Sequence, residues 1–190
     1  MTSISIIGTG NMGGAIAGIA AKGGAEVQLV GRGSDQALTG DIVVLALPYP
    51  AVDEVIAQYG AQLAGKTVVD ITNPLDFSTF DDLVVPADSS AAAVIAAKLP
   101  ASHVVKAFNT NFAATLASGA VGDQPTTVLV AGDDQASKDA LLAVVRAAGL
   151  RGEDAGSLKR ARELEALGFL QLTLAVAEKT AWTAGFALVK

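Results

Sequence analysis

The 190-residue sequence contains no cysteine and a single histidine, His103. The absence of cysteine excludes disulfide bonds, thiol nucleophiles and cysteine-ligated metals. One histidine is too few for a histidine-rich metal site, and it makes a catalytic Ser-His-Asp triad an unfavoured hypothesis. We interpret His103, which begins a predicted strand, as structural. The sequence therefore predicts a protein that holds no metal ion.

Basic clusters, aromatic residues and long apolar runs are also scarce. The net charge is −6 and 5% of the residues are aromatic, so nucleic acids and anionic membrane surfaces are poor partners. No apolar run reaches the length of a membrane span, and the first strand follows Met1 too closely for a signal peptide. Since 51% of the residues are hydrophobic, the chain can bury a substantial core. We expect a cytoplasmic protein that binds small molecules.

Three glycines follow the first apolar segment, Ile4–Ile7, at the G-x-G-x-x-G spacing. Apolar residues then recur at helical intervals, so the motif lies between a strand and a helix, as in dinucleotide-binding turns. Gly8 permits the turn, Gly10 lets the backbone approach a pyrophosphate, and Gly13 lets the helix pack closely on the strand. The helix N-terminus offers free N–H groups and a partial positive charge to the phosphates. A purely structural glycine turn is the alternative.

The end of the second predicted strand indicates which dinucleotide binds. NAD sites usually place Asp or Glu about 20 residues after the glycines, to bind the ribose. This sequence has Gly31, Arg32, Gly33 and Ser34 there; a guanidinium suits a 2′-phosphate, and Ser34 adds a hydroxyl. Because one charge-assisted contact contributes about 1.5–3 kcal/mol, we predict that NADPH binds roughly ten- to a hundredfold more tightly than NADH. The alternative is an exposed arginine beside a turn.

Strand and helix patterns alternate along the whole chain. The later predicted strands cover residues 26–30, 41–47, 67–71, 103–108, 126–131 and 151–155. This alternation predicts an α/β protein with a doubly wound, mostly parallel sheet. Only residues 33–40 separate the second and third strands, which is too short for a full helical crossover. We assign residues 1–156 to the nucleotide-binding domain and 157–190 to a C-terminal helix, capped by Ser157, that packs on the domain or at a dimer interface.

Polar residues follow the fourth and fifth predicted strands, at the edge where ligands of open parallel sheets bind. Asn73, Asn109 and Asn111 are candidates to bind the nicotinamide or a substrate ring, or else are ordinary turn residues. Lys106 either binds an acidic substrate or extends from a strand end to solvent. A cis bond before Pro74 would fix Asn73, but the sequence leaves the isomer open. No acid–base pair emerges, which favours hydride transfer between two redox cofactors because that reaction needs mainly alignment.

Nearly the whole chain resembles the coenzyme F420-dependent NADP reductases and, more distantly, the reductase domain of STEAP-type metalloreductases. The segments that carry the resemblance are residues 6–13, 31–32, 44–49, 70–75, 104–110, 131–134 and 154–156, with Leu158, Ala161, Arg162, Leu164 and Glu165. The Lys-Ala-Phe-Asn-Thr block at 106–110 and the Asp-Ala-Gly segment at 154–156 are far more specific than the glycine turn. The resemblance implies a Rossmann fold, a homodimer with the last helix as a contact, and reversible hydride transfer between NADP(H) and F420 without a metal.

The resemblance also implies the site residues. Those implied for NADP are Thr9, Gly10, Asn11, Met12 and Arg32, with Leu47, Pro48 and Ala51 against the nicotinamide. Those implied for the deazaflavin are Asn73, Asn111 and Ala113. The family usually carries a helix with further basic residues after Gly31-Arg32, and this chain shortens that segment, so part of the 2′-phosphate contact stays open.

Three alternatives remain at this stage. A flavin could replace F420 as the acceptor, as in STEAP-type relatives. An imine, pyrroline-carboxylate or 3-hydroxyacid reductase would normally need a large helical C-terminal domain, and only residues 157–190 are available here. A non-catalytic NADP-binding sensor would fit both the missing acid–base pair and the short segment after Arg32.

Overall fold

The computed structural model describes residues 2–189, in which one large sheet lies between two layers of helices. The strands are β1 (Ser3–Ile7), β2 (Glu26–Val30), β3 (Ile42–Leu45), β4 (Thr67–Asp70), β5 (His103–Lys106), β6 (Ala120–Val121), β7 (Gln124–Pro125), β8 (Thr127–Gly132) and β9 (Arg151–Gly156). The helices are α1 (Asn11–Lys22), α2 (Val52–Leu63), α3 (Ala91–Lys98), α4 (Ala113–Ser118), α5 (Gln135–Ala147) and α6 (Ala161–Val176). Short 3₁₀ helices, Tyr49–Ala51 and Leu158–Arg160, precede α2 and α6.

The large sheet has the strand order β2-β1-β3-β4-β5-β8-β9. The first five strands are parallel, as expected, whereas β8 pairs antiparallel with β5 and β9 is parallel to β8. The chain turns back because only α4 and the β6–β7 hairpin connect β5 to β8. Six helical residues span only about 9 Å, too little to return the chain to the far edge of the sheet. The prediction of a doubly wound, mostly parallel Rossmann sheet is confirmed.

Alternate residues of the central strands enter two separate cores, one on each face of the sheet. Ile42 and Val44 pack with α1, α4 and α5, whereas Val43 and Leu45 pack with α2, α3 and the start of α6. Because such strands are buried on both faces, their sequences are continuous runs of Val, Ile and Leu. The layers bring helices to both faces and leave the strand ends free to form a site.

Side-chain oxygens cap two of the helices. The Ser90 hydroxyl accepts from the Ala93 N–H (3.0 Å) to begin α3, and Asp134 accepts from the Ser137 N–H (2.7 Å) to begin α5. The predicted cap at Ser157 is wrong, because its side chain makes no capping hydrogen bond. The Asp133 carboxylate instead accepts from the Leu158 N–H (2.9 Å), and the 3₁₀ turn delays the start of α6. This helix continues without a break through Gly168 and ends at Val176, so it is shorter than the C-terminal helix predicted over residues 157–190.

The segment between β2 and β3 contains no helix, which confirms the shortened crossover. Within residues 2–189, no helix is long and apolar enough to cross a membrane. No group of three or more His, Asp or Glu side chains in the same residues could hold a metal ion.

Candidate nucleotide-binding site

The carboxyl ends of β1 and β3 meet where the strand order changes direction, which is the usual ligand crevice of an open parallel sheet. Gly8 leaves β1 with a φ of +115°, a left-handed conformation that favours glycine. A Cβ at Gly8 would overlap the carbonyl oxygen of Ala46, which follows β3. The first glycine of the motif is therefore required both for the turn and for the approach of these two strand ends.

The other two motif glycines have different surroundings. A Cβ at Gly13 would overlap the Gly8 carbonyl oxygen, so Gly13 allows α1 to begin against the turn. A Cβ at Gly10 would meet nothing within 4 Å, so the backbone is open at that point. Gly10 is also the N-cap of α1, and it has no side chain to occupy the first N–H groups. Thr9 and Asn11 are exposed beside it. An uncapped, open helix N-terminus is the geometry that binds a pyrophosphate.

A cavity of about 360 Å³ lies next to this turn. Its walls come from the ends of β1, β2 and β3 and from α2. The predicted site residues among its lining are Gly8, Gly10, Gly31, Arg32, Leu47, Pro48 and Ala51, and the lining residues from α2 are Glu54, Val55, Gln58 and Tyr59. The structure thus brings the glycine turn, the arginine and the apolar Leu47–Ala51 wall to one cavity, while the Ser34 hydroxyl accepts from the Gln36 N–H (3.3 Å). Burial raises the pKa of Tyr49, whose half-buried phenol follows Pro48.

Of the three predicted asparagines, Asn73 and Asn109 form a hydrogen-bonded pair. The Asn73 amide donates to the Asn109 carbonyl oxygen, and the Asn109 amide donates to Asn73 Oδ1, both at 2.9 Å. Asn109 also donates to the Leu164 carbonyl on α6 (2.8 Å). Phe108, the preceding residue, has a φ of +62°, a strained conformation for a bulky residue. The pair holds the half-buried Asn73 at the carboxyl edge of the sheet, beside the end of β5.

Lys106 does not reach the cavity. Its side chain has 0% exposure, and its ammonium contacts Asp70 Oδ2 and Glu165 Oε1, both at 2.8 Å, and donates to the Thr72 carbonyl (2.5 Å). Neither a substrate ligand nor a lysine extending to solvent fits this position, because all three ammonium protons have buried partners. Glu165 also accepts from the N–H groups of Ala91 and Ala92 (2.8 and 3.2 Å). Burial raises the pKa of Glu165, although Lys106 opposes this shift.

The remaining predicted substrate residues lie near the asparagine pair. Asn111 is buried and donates to the Thr127 carbonyl (3.0 Å), so this amide supports β8. Pro74 is buried and follows a trans peptide, since the described residues contain no cis bond. Ala113 is half-buried at the start of α4. His103 is exposed at the start of β5, 3.9 Å from Asp134, away from the cavity.

Sequence reasoning gave no site role to four residues that the structure places at or beneath this site. Gln58 and Tyr59 line the cavity from α2, and Glu165 and Gly168 reach the site from α6. Tyr59 and Glu165 fall on apolar helix faces, so their burial can be anticipated from periodicity. Their partners cannot, because these lie 25 and 59 residues away in the sequence.

Comparisons with known proteins agree with the geometry. A family model described as NADP oxidoreductase coenzyme F420-dependent matches residues 34–74. The F420-dependent NADP reductase of Methanocaldococcus jannaschii is 33% identical over 167 residues, which cover 84% of this chain and 74% of that protein. Metalloreductase STEAP3 of Rattus norvegicus is 39% identical over 106 residues, which cover 56% of this chain and 20% of that protein.

A solved structure agrees over the full length. The crystal structure of a putative F420-dependent NADP reductase from Arthrobacter sp. fb24 superposes with a TM-score of 0.84 and 26% identity over 100% of both chains. The resemblance predicted from the sequence is therefore confirmed. Because one third of the aligned residues are identical to the Methanocaldococcus enzyme, and the alignment covers most of both chains, this chain belongs to the F420-dependent NADP reductase family.

Proposed function

We propose that this protein transfers a hydride reversibly between NADP(H) and coenzyme F420. The observation that carries the proposal is the cavity between β1, β2 and β3. The uncapped N-terminus of α1 lies at one side of this cavity and Arg32 lines it at the end of β2, where no carboxylate follows the strand directly. A carboxylate at that strand end would favour NADH and repel a 2′-phosphate. The family relationship supports the choice of F420 as the second substrate.

The chain's own residues act mainly by binding and alignment. The open backbone from Thr9 to Met12 binds the pyrophosphate, and Gly13 allows α1 to direct its N-terminus there. Arg32 binds the 2′-phosphate; its side chain makes no hydrogen bond or ion pair within residues 2–189, so the guanidinium is free for a ligand. Gly31 and Ser34 complete the turn that carries Arg32.

The wall formed by Leu47, Pro48 and Ala51 would pack against the nicotinamide and exclude water from one side of the ring. We place the deazaflavin at the Asn73–Asn109 pair, beside Pro74, Asn111 and Ala113. Lys106 contributes from beneath by fixing the Thr72 carbonyl, one residue before Asn73. None of these groups needs to change its protonation state during hydride transfer.

Reduced nicotinamide supplies the hydride, and the deazaflavin takes it up together with one proton from solvent. NADPH, oxidised F420 and one proton thus give NADP⁺ and reduced F420. The protein would lower the barrier by aligning the two reacting carbons, which requires a separation of about 3–3.5 Å. Hydride transfer between two redox rings needs mainly alignment, whereas reactions that must move an alcohol proton need an acid–base group.

A direct assay tests the proposal. Protein, NADPH and oxidised F420 are mixed, and loss of the visible absorbance of the deazaflavin is followed, with FMN, FAD and a cyclic imine in parallel. We expect rapid turnover with F420. Turnover with only the flavins or only the imine would overturn the F420 assignment, and binding of NADPH without turnover of any acceptor would favour the sensor.

Cofactor preference provides a separate test. Arg32→Ala should weaken NADPH binding by roughly ten- to a hundredfold and leave NADH binding nearly unchanged, because only NADPH carries the 2′-phosphate. Dissociation constants from fluorescence titration measure both. Equal weakening of the two cofactors would show that Arg32 is not the phosphate ligand.

We further propose that the protein works in the cytoplasm as a homodimer that uses α6. This helix exposes Leu170 and Val176, which are 50% and 47% accessible. Leu170→Glu should convert a dimer to a monomer in sedimentation measurements. Leu29→Glu is the matched control, because Leu29 is 47% exposed on the edge strand β2. A dimer that survives Leu170→Glu would exclude α6 as the contact.

A further inference from the structure

The segment between β2 and β3 keeps a defined path without a helix because side chains from three neighbouring elements bind its backbone. Gln28 on β2 donates to the Ala37 carbonyl (2.9 Å) and accepts from the Thr39 N–H (3.0 Å). Gln62 on α2 accepts from the Leu38 N–H (2.8 Å). Ser5 on β1 accepts from the Gly40 N–H (2.8 Å). These bonds replace the internal hydrogen bonds that a crossover helix would supply.

Arg32 occupies the corner of a tight turn at the start of this segment. The Ser34 N–H donates to the Gly31 carbonyl (3.2 Å), and Gly33 has a φ of +74°. A positive φ at the third residue is typical of a type II β-turn, and glycine adopts it without strain. Arg32 is exposed and its side chain has no partner within residues 2–189, so the turn backbone sets the point from which the guanidinium reaches the cavity.

Two side chains from α2 hold the last carbonyl of this turn. The Tyr59 hydroxyl donates to the Ser34 carbonyl at 2.5 Å, and the Gln58 amide donates to the same oxygen at 2.6 Å. The Tyr59 ring is 3% exposed within the core beneath α2, so its hydroxyl has little freedom to move. Both side chains also line the nucleotide cavity. The turn is therefore attached to a rigid helix across the cavity, at the carbonyl two residues after Arg32.

The charge distribution of the cavity makes the position of Arg32 important. Glu54 lines the same cavity and precedes Gln58 by one helical turn, so both lie on the same face of α2. A carboxylate there repels a bound phosphate, whereas a correctly placed guanidinium attracts it. A turn released from α2 would let Arg32 move towards Glu54 and pair with it, and the phosphate would lose its ligand.

We propose that Tyr59 and Gln58 are positioning residues that fix the Arg32 turn and thereby set the preference of the cavity for nucleotides with a 2′-phosphate. The proposal rests on the proposed function, in which Arg32 binds NADP(H). It adds that the preference for NADP(H) over NAD(H) depends on α2. In this chain α2 supports the segment after Arg32 in place of the missing crossover helix. Removal of either donor should weaken binding of the phosphorylated cofactor specifically.

The test measures dissociation constants of NADP⁺ and NAD⁺ by calorimetry for the wild type, Tyr59→Phe, Gln58→Leu and the double variant. Loss of one hydrogen bond to the turn should raise the dissociation constant of NADP⁺ about three- to tenfold. The constant for NAD⁺ should stay within about twofold, since NAD⁺ makes no 2′-phosphate contact. The ratio between the cofactors should fall further in the double variant.

Gln62→Leu is the matched control, because it removes an amide one turn further along α2 that binds Leu38 outside the cavity lining. We expect this variant to keep the wild-type ratio. A ratio unchanged in both Tyr59→Phe and Gln58→Leu overturns the proposal, as does equal weakening of both cofactors or a fall in the ratio with Gln62→Leu. Should Tyr59→Phe fail to fold, the exposed Gln58 still provides the test.

Arg32→Ala separates this inference from the cofactor assignment. If Arg32→Ala abolishes the preference and the α2 variants do not, the positioning role fails and the NADP assignment stands. If Arg32→Ala leaves the preference unchanged, Arg32 is not the phosphate ligand and both fail. F420 is absent from all of these measurements, so they do not depend on the acceptor.

Discussion

At the scale of single residues, the most informative position is Lys106. The sequence places it at a strand end, where lysines usually reach solvent, and the structure buries it completely between Asp70, Glu165 and the Thr72 carbonyl. One cation faces two carboxylates, and Glu165 also caps the first N–H groups of α3. The cluster joins β4, β5, α3 and α6 directly beneath Asn73. Its role is to hold four elements in register.

Lys106→Met should destabilise the protein by about 3–5 kcal/mol, because it leaves Asp70 and Glu165 buried without their counterion. Urea unfolding followed by circular dichroism measures the loss. Lys98→Met is the control: Lys98 pairs with Asp53 on the surface, where ion pairs contribute little. Equal losses of unfolding free energy in the two variants would contradict the view that burial makes the Lys106 ion pairs important for stability.

Glu165→Gln should alter how stability depends on pH. Burial raises the pKa of Glu165 above its ordinary value of 4.5, against the opposing effect of Lys106. A carboxyl with a raised folded-state pKa contributes its full stability below the ordinary pKa and loses it as the pH rises through the folded-state pKa. The variant lacks this loss, so its free energy of unfolding should rise relative to wild type as the pH rises above 4.5. Denaturant titrations at several pH values measure the difference; a constant difference would contradict the shift.

At the scale of elements, α6 packs against the asparagine pair through a glycine. Gly168 is buried, and a Cβ there would overlap Asn73 Oδ1 and press on the Asn109 carbonyl. A side chain at this point would push the helix away from the ends of β4 and β5. The close contact explains why a glycine that weakens helices is tolerated in the middle of α6.

Gly168→Ala should therefore destabilise the protein by about 1–3 kcal/mol through overpacking and lower turnover with F420. Gly60→Ala in α2 is a matched control, because its Cβ would meet only Ile56 at 3.8 Å, an ordinary contact. That substitution should stabilise by about 0.5–1 kcal/mol, since alanine is the better helix former. Thermal melts and the F420 assay compare them. If both substitutions stabilised the protein, or both destabilised it, the close contact between Gly168 and Asn73 would not explain the effect of Gly168→Ala.

Local sequence signals predicted the parts of the site that depend on neighbouring residues. The glycine motif and the short segment after Arg32 each follow from a few adjacent positions. Signals failed where distant chain segments compete: the Asp133 carboxylate displaced the predicted cap at Ser157. The reversal of β8 also escaped prediction, because strand composition does not encode strand direction.

At the scale of the whole molecule, the predicted boundary at residue 156 stays a prediction. The described residues after it contribute much to the shared core: Leu158 and Ala161 belong to the cluster formed by α2 and α3. The Trp182 ring packs on Phe112 at 4.9 Å between centroids, and Arg151 donates to the Leu188 carbonyl. These contacts return the end of the chain to α4 and β9.

A chain ending at Gly156 should therefore not unfold cooperatively. It would leave Lys106 without Glu165, Asn109 without the Leu164 carbonyl, and one face of the sheet exposed to water. Circular dichroism melts and binding of the fluorescent dye ANS would report a loosely packed state. A cooperative melt close to that of the full chain would instead support two separate domains.

The position of α6 has a consequence for the order in which the protein is made. The cavity proposed for NADP(H) is lined only by residues up to Tyr59 in α2, whereas the Asn73–Asn109 pair is held in place only after Leu164 and Gly168 have left the ribosome. The residues that line the nucleotide cavity are therefore made long before those that fix the proposed deazaflavin position. Because we expect a chain without α6 to stay loosely packed, a complete site should form only once the last helix has been made.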